Sequence, residues 1–162
     1  MKFRMKISKI YIGSDHAGFT LKSILIEYLE NLNIQVEDLG TYSDEMVDYP
    51  DYGKKVAEAV KEDPLSFGVL ICGTGIGMSI VANKVKGIRA ASCSEPLSAK
   101  LSREHNNANV LCLGARLIGT LMAIEVLNTF INTDFLGDRH LLRVNKISEM
   151  EEKGVDYDDG RP

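Results

Sequence analysis

Long apolar runs are missing from this chain of 162 residues. None approaches the roughly 20 residues that a membrane-spanning helix requires, and the basic start, Met1-Lys2-Phe3-Arg4-Met5-Lys6, leads into a strand-like pattern, not a secretory leader. No membrane partner is expected. Positive charge is also scarce, with 19 Lys and Arg against 23 Asp and Glu for a net charge of −4. Binding to a phosphate backbone usually shows as a basic patch or domain, so no nucleic-acid partner is expected either. Cysteine is sparse. Its three copies, an odd number without an export signal, argue for free thiols in a reducing compartment, and the expected location is cytoplasmic. Three histidines and no CxxC or HxxxH spacing give no framework for a structural zinc site.

What is present reads as one ordinary domain. Hydrophobic residues at 44% and charged residues at 26% suit a globule with a single core, assigned here to residues 1–152 with a frayed tail over 153–162. Short apolar runs alternate with amphipathic segments from end to end, which is the pattern of βαβ units and a parallel sheet. Strands are expected near residues 9–13, 35–39, 67–71, 89–93 and 110–113. Helices are expected over about 19–32, 52–61, 77–85, 96–103, 118–130 and 139–152. In the first, Leu21, Ile24, Leu25, Tyr28, Leu29 and Leu32 form one apolar stripe. The fold expected is α/β: a doubly wound five-stranded parallel sheet, a Rossmann- or flavodoxin-like three-layer sandwich. Right-handed crossovers then bring all strand C-terminal ends to one edge, where ligands bind. The last helix has no strand before it to fix its place. Its Leu141, Leu142, Val144 and Ile147 must be covered by its own domain or by a partner subunit, and it is expected to be a dimerisation helix.

The third strand runs into Cys72-Gly73-Thr74-Gly75-Ile76-Gly77 and then into a helix. A strand, a glycine-rich turn and a helix N-terminus in this order aim several backbone N–H groups at one point, suited to an anion or an oxyanion. The glycine spacing fits no common nucleotide fingerprint. Met78 stands where a dinucleotide loop wants Gly or Ala, although Glu95 falls where a ribose-binding acid would, and the Gly-Lys-Ser/Thr of phosphate-loop ATPases is absent. The loop reads as a site for a small anion, with a dinucleotide as the weaker option. Cys72 is a small hydrophobe on the bland reading and a reactive thiol on the sharper one. Cys112 reads as core, and Cys93 as core before site wall.

Other candidates carry a structural alternative beside the functional one. Asp15-His16 ends the first strand. Asp15 can be an N-cap with His16 a turn residue, but in a doubly wound sheet this pair faces the glycine loop across the switch point. His105 and the asparagines after it suit a helix C-cap. Histidine is also the side-chain type best suited to move protons near pH 7. Arg139 and Arg143 share one helix face, and Arg116 follows the fifth strand. As bidentate cations they suit phosphate or carboxylate; as an arginine pair they suit a solvated face. Tyr49 and Tyr52 either line the crevice or pin their loop.

Taken in order, Gly13-Ser14-Asp15-His16-Ala17-Gly18, Asp48-Tyr49-Pro50-Asp51-Tyr52, the cysteine–glycine loop, Arg103-Glu104-His105-Asn106, Asn109-Val110-Leu111 and Arg139-His140-x-x-Arg143-Val144 resemble the type-B ribose-5-phosphate isomerases. That group shares a family with the galactose-6-phosphate isomerase subunits. The resemblance spans about residues 7–152. It implies cytoplasmic interconversion of ribose 5-phosphate and ribulose 5-phosphate in the pentose phosphate pathway, through an enediolate, without metal or organic cofactor. It further implies a homodimer with shared sites, or a pair of such dimers as a tetramer.

By the same resemblance Cys72 is the proton-transfer base, which agrees with the favoured thiolate of a cysteine at a helix N-terminus. The N–H groups of Gly73, Thr74, Gly75, Ile76 and Gly77 hold the enediolate, and Thr74 relays or orients protons. His105 opens the furanose ring with help from Asp15. Asn106 and Tyr49 contact the sugar, while His16, Arg116, Arg139 and Arg143 surround the phosphate, the last two donated by the partner. A subgroup of the family places a Glu just after the loop as base; Met78 stands there, so the chain resembles the cysteine-base group. Competing readings are an isomerase of a six-carbon sugar phosphate, of allose or galactose type, and a non-catalytic phosphate- or nucleotide-binding module.

Overall fold

A computed structural model describes residues 7–153. Five strands, β1 (Ile10–Ser14), β2 (Val36–Asp38), β3 (Phe67–Cys72), β4 (Ala90–Ser92) and β5 (Val110–Gly114), form one parallel sheet in the order β2-β1-β3-β5-β4. A flavodoxin-like order would seat β4 beside β3; β5 takes that place instead. The residues explain the choice. Every residue of β3 and β5 is buried, as inner parallel strands require, whereas the small Ala90-Ala91-Ser92 of β4 suits a half-exposed edge.

The helices are α1 (Phe19–Asn31), α2 (Tyr49–Glu62), α3 (Ile76–Ala82), α4 (Pro96–Asn106), α5 (Thr120–Ile131) and α6 (Asp138–Lys153). On one face of the sheet, Leu21, Leu25 and Leu29 of α1 and Val126, Leu127 and Phe130 of α5 form the larger core. On the other, Val56 and Val60 of α2 and Met78 and Ala82 of α3 close a smaller one. The expected stripe of α1 is corrected at two places. Leu32 is 45% exposed because the helix ends before it, while Lys22 is fully buried. α2 starts at Tyr49, three residues earlier than expected, because Pro50 is accommodated in a helix's first turn.

Helix α6 packs its His140 and Val144 inward, each 6% exposed, and leaves Leu142 67% exposed. Its apolar residues are thus divided between its own domain and the surface. Lys153 is still helical, and the rest of the expected tail, like the basic start, lies outside the described residues. Among the described residues no helix is long and apolar enough to cross a membrane.

Candidate active site

At the carboxyl edge of the sheet β3 ends on Cys72, which is 5% exposed. Gly75 adopts φ +77°, in the left-handed region that favours glycine, and its N–H donates to Cys72 Sγ at 3.1 Å. A side chain there would also strike the Leu113 carbonyl carbon at 2.9 Å. Only glycine lets the loop fold back over the thiol. Thr74 Oγ1 accepts from the Ile76 N–H at 3.3 Å. The N–H groups of Gly73, Thr74 and Gly77 have no acceptor among the described residues, so three amides of the segment that follows Cys72 are free.

Two side chains cover this loop. The Tyr49 ring lies over Gly77, where an added Cβ would meet it at 2.8 Å, and the Arg116 side chain crosses Gly73, where the same probe meets Cδ at 3.5 Å. Tyr52 packs on Gly40 instead, 2.8 Å from a Cβ there, so one tyrosine sits at the loop and the other pins its own segment. Asp15 lies beside β3 through its N–H to Ile71 O, 3.1 Å, and its Oδ1 caps the following turn by accepting from Gly18 at 3.1 Å. Its second oxygen has no donor among the described residues. His16 Nδ1 lies 3.3 Å from both N and O of Val47, accepting or donating according to its tautomer. Arg116 has no carboxylate partner among the described residues, which leaves its charge available.

The remaining candidates gather at the opposite edge. His105 and Asn106 occupy the last turn of α4, which Asn107 ends at φ +48°. Arg103, one turn earlier, stacks 4.4 Å from the centre of the Phe67 ring, at the first residue of β3, and its Nε donates to Thr133 O at 3.2 Å. Burial, then repulsion from Arg89, lowers its pKa to about 10. The Leu136 N–H donates to Glu104 O at 3.1 Å and delivers the chain into α6, where His140 stacks on His105. Arg139 and Arg143 are exposed, one turn apart, without carboxylate partners among the described residues. From Phe67 to Cys72 the chain advances five residues, about 16 Å at a strand's rise.

One chain therefore brings together Asp15, His16, Tyr49, Arg116 and the Cys72 loop, and separately His105, Asn106, Arg139 and Arg143. It does not bring the two groups to each other. Clefts of about 740 Å³, beside Arg89 and Arg103, and about 670 Å³, between α6 and β4, lie at neither Cys72 nor its loop.

Other expectations resolve locally. Burial raises the Cys112 thiol well above its ordinary range and raises Cys93 as well, in keeping with the core reading of both. Glu95 is spent as the N-cap of α4, bonding Leu97 and Ser98 N–H at 2.6 Å each, which removes the support for a dinucleotide. Among the described residues no group of three His, Cys, Asp or Glu could hold a metal. Lys22 escaped the sequence reading. Its Nζ binds Asp38 Oδ2 and Thr41 O, each at 2.6 Å, and anchors the segment that leads to Val47 and Tyr49. The signal was a charge on the same face as Leu25 and Leu29.

The fold and this edge define a class: α/β proteins with a glycine-rich loop at the switch point of a parallel sheet, here with a thiol at its start. Within that class, the chain belongs to the Ribose/Galactose Isomerase family, which it matches over residues 10–147. It is 45% identical to ribose-5-phosphate isomerase B of Escherichia coli strain K12 over 147 residues, 91% of this chain and 99% of that one. The solved structure of ribose-5-phosphate isomerase B from Clostridium thermocellum matches at a TM-score of 0.88 and 51% identity, covering 90% of this chain and 98% of that one. The enzyme from Mycoplasma genitalium with bound ribulose 5-phosphate matches at 0.88 and 43%, covering 90% and 97%.

Proposed function

We propose that the chain is an aldose–ketose isomerase that interconverts ribose 5-phosphate and ribulose 5-phosphate, and that each site is completed by a second copy of the chain. The observation that carries this reading is the buried Cys72 sulfur among loop amides that lack protein acceptors. In the first step the furanose opens. His105 gives a proton to the ring oxygen as the C1–O4 bond breaks, and Asp15 takes the proton of the anomeric hydroxyl as the C1 carbonyl forms. Cys72, as thiolate, then removes the C2 proton of the open aldose. The electron pair moves into a C1–C2 double bond and onto O1, giving an enediolate. Free N–H groups of Gly73, Thr74 and Gly77 neutralise that charge where it develops. A proton passes from O2 to O1, relayed by Thr74, and Cys72 returns its proton to C1. The ketose results, with no net gain or loss of protons.

The division of the candidates between two sheet edges supports a shared site. His105, Asn106, Arg139 and Arg143 would come from the partner, which extends partner donation from the arginines to the histidine and asparagine. A homodimer is the smallest assembly that does this reciprocally. Apolar side chains left in water at both edges fit such contacts: Ile76 56%, Leu117 61%, Leu121 80% and Leu142 67% exposed. A tetramer of two such dimers is compatible with the same surfaces. Arg116, His16 and the partner's two arginines would clamp the phosphate, bidentate and without a metal. Three free cysteines and a doubly charged substrate suit a cytoplasmic setting.

The test is an aldose–ketose assay over pentose and hexose phosphates, with Cys72→Ala beside the parent chain. Ribose 5-phosphate should give the highest kcat/KM, and Cys72→Ala should lower kcat by about 10²- to 10⁴-fold with the fold intact. Preference for allose or galactose 6-phosphate would move the assignment to the six-carbon reading. Binding without conversion of any sugar phosphate would make the chain a binding module.

A further inference from the structure

The contact between His105 and His140 has no place in the reaction as described. Their imidazoles stack with centres 4.3 Å apart and planes 6° from parallel. One belongs to the last turn of α4 and the other to the first turn of α6. Of the three histidines, only His16 has a side-chain hydrogen bond among the described residues, so the flat contact is what orients His105. His140 is firmly seated itself. It is 6% exposed, its N–H donates to Gly137 O at 2.9 Å, and Val144 is buried one turn later on the same side.

The charges around His140 favour one protonation state. Facing it are His105 on α4 and Arg139, Arg143 and Asp138 on α6. Burial, then His105 and the two arginines, lowers the His140 pKa below the ordinary histidine value of 6.5, against a smaller opposing pull from Asp138. At neutral pH it is an uncharged plate. An uncharged ring face can stay in contact with His105 whether or not His105 holds the proton it is read to deliver.

We propose that His140 is a positioning residue for His105: its ring fixes the orientation of the acid that opens the sugar and couples that acid to the helix carrying Arg139 and Arg143. The inference rests on the reading that His105 opens the furanose. Orientation matters because misplacing a reacting group by about 1 Å can cost about 10²-fold in rate. A histidine that merely fills space would be replaceable by any apolar side chain of similar size.

The experiment compares His140→Phe, which keeps a flat uncharged face, with His140→Leu, which keeps bulk without one, and uses His105→Ala as reference. Each variant is checked for folding by thermal unfolding and then measured in two reactions. One is conversion of ribose 5-phosphate. The other is exchange of the C1 hydrogen of ribulose 5-phosphate with D₂O, which needs Cys72 but no ring opening, because esterified O5 keeps this ketose acyclic. His140→Phe should stay within about 3-fold of the parent in both. His140→Leu should lose about 10- to 100-fold in kcat for ribose 5-phosphate, with KM and C1 exchange within about 3-fold. Full activity in His140→Leu, equal losses in the Leu and Phe variants, or loss of exchange together with conversion would each overturn the proposal. His105→Ala separates the two levels: if it converts ribose 5-phosphate normally, the reading of His105 fails, and if it collapses while His140→Leu does not, only the positioning role fails.

Discussion

Two inactive chains should restore each other if the site is shared. The perturbations are Cys72→Ala, at the carboxyl edge, and His105→Ala, at the amino edge, and each homodimer should retain about 1% of activity or less, as loss of a general acid or base commonly does. The structure sets the expected recovery. The two edges are separated by the length of β3, about 16 Å, so in a shared site Cys72 would meet only the histidine of the other chain. Random pairing at equal concentration gives about half mixed dimers. In each mixed dimer one site has both Cys72 and the partner's histidine, and the other lacks both. Recovered activity should therefore approach about a quarter of the parent's, at least an order of magnitude above either variant alone. Co-refolding of differently tagged chains and a coupled isomerase assay measure this directly, and mixed dimers purified through both tags should reach about half of the parent's activity. Tagged mixed dimers that form and stay at the background of their parents would refute the shared site, because intrachain sites leave every copy in the mixture defective.

Three further outcomes follow from the same geometry. Cys112→Ala, on a thiol buried in β5 within the smaller core and outside the glycine loop itself, should lower stability by about 1–2 kcal/mol in denaturant titration while isomerase activity persists. Exhaustive chelation should leave the rate unchanged, since amides and arginines can hold the enediolate and the phosphate; activity that vanishes and returns with a divalent ion would contradict the route. For His140, whose folded pKa lies below its unfolded value, the unfolded chain takes up the proton first as pH falls. Stability should therefore decline on acidification through 6.5, and thermal unfolding between pH 7.5 and 5 should show a smaller decline in His140→Phe.

The glycine loop was legible because its signals are local. An apolar strand, a left-handed glycine and a helix start lie within a dozen residues, and each constrains the backbone without help from elsewhere. The two thiols read as core were equally plain, each embedded in an apolar strand or at its end. Lys22 was not legible, because its burial depends on Asp38 and Thr41, which only the packing of α1 against β1 and β2 brings near. The place of β4 was hidden for a related reason. Ala90-Ala91-Ser92 fits an edge or a centre by propensity, and the choice falls to the competing apolarity of β5.

The separation of His105 from Cys72 was written in the chain order all along. In a right-handed βαβ unit the strand runs to the carboxyl edge and the helix returns antiparallel, so whatever ends a helix sits at the amino edge, next to the following strand's first residue. His105 stands just before β5 begins at Val110, and Cys72 closes β3. No folding of a single sheet of this kind can join them. A chemistry that needs a thiol base and a histidine acid on one sugar must then draw them from two chains, and the symmetry of a closed pair supplies two such sites or none. This is why α6 belongs to the same argument. Its Arg139 and Arg143 stand at the amino edge on a helix seated by buried Val144 and joined to α4 by the His105–His140 stack, and the acid and the phosphate clamp would reach the partner's crevice from the same side. Loss of the buried Val144 seat, which would shift α6 as a whole, should accordingly disturb phosphate binding as well as ring opening, whereas loss of the His140 ring alone should reach only ring opening, and both should leave the Cys72 loop of the same chain untouched.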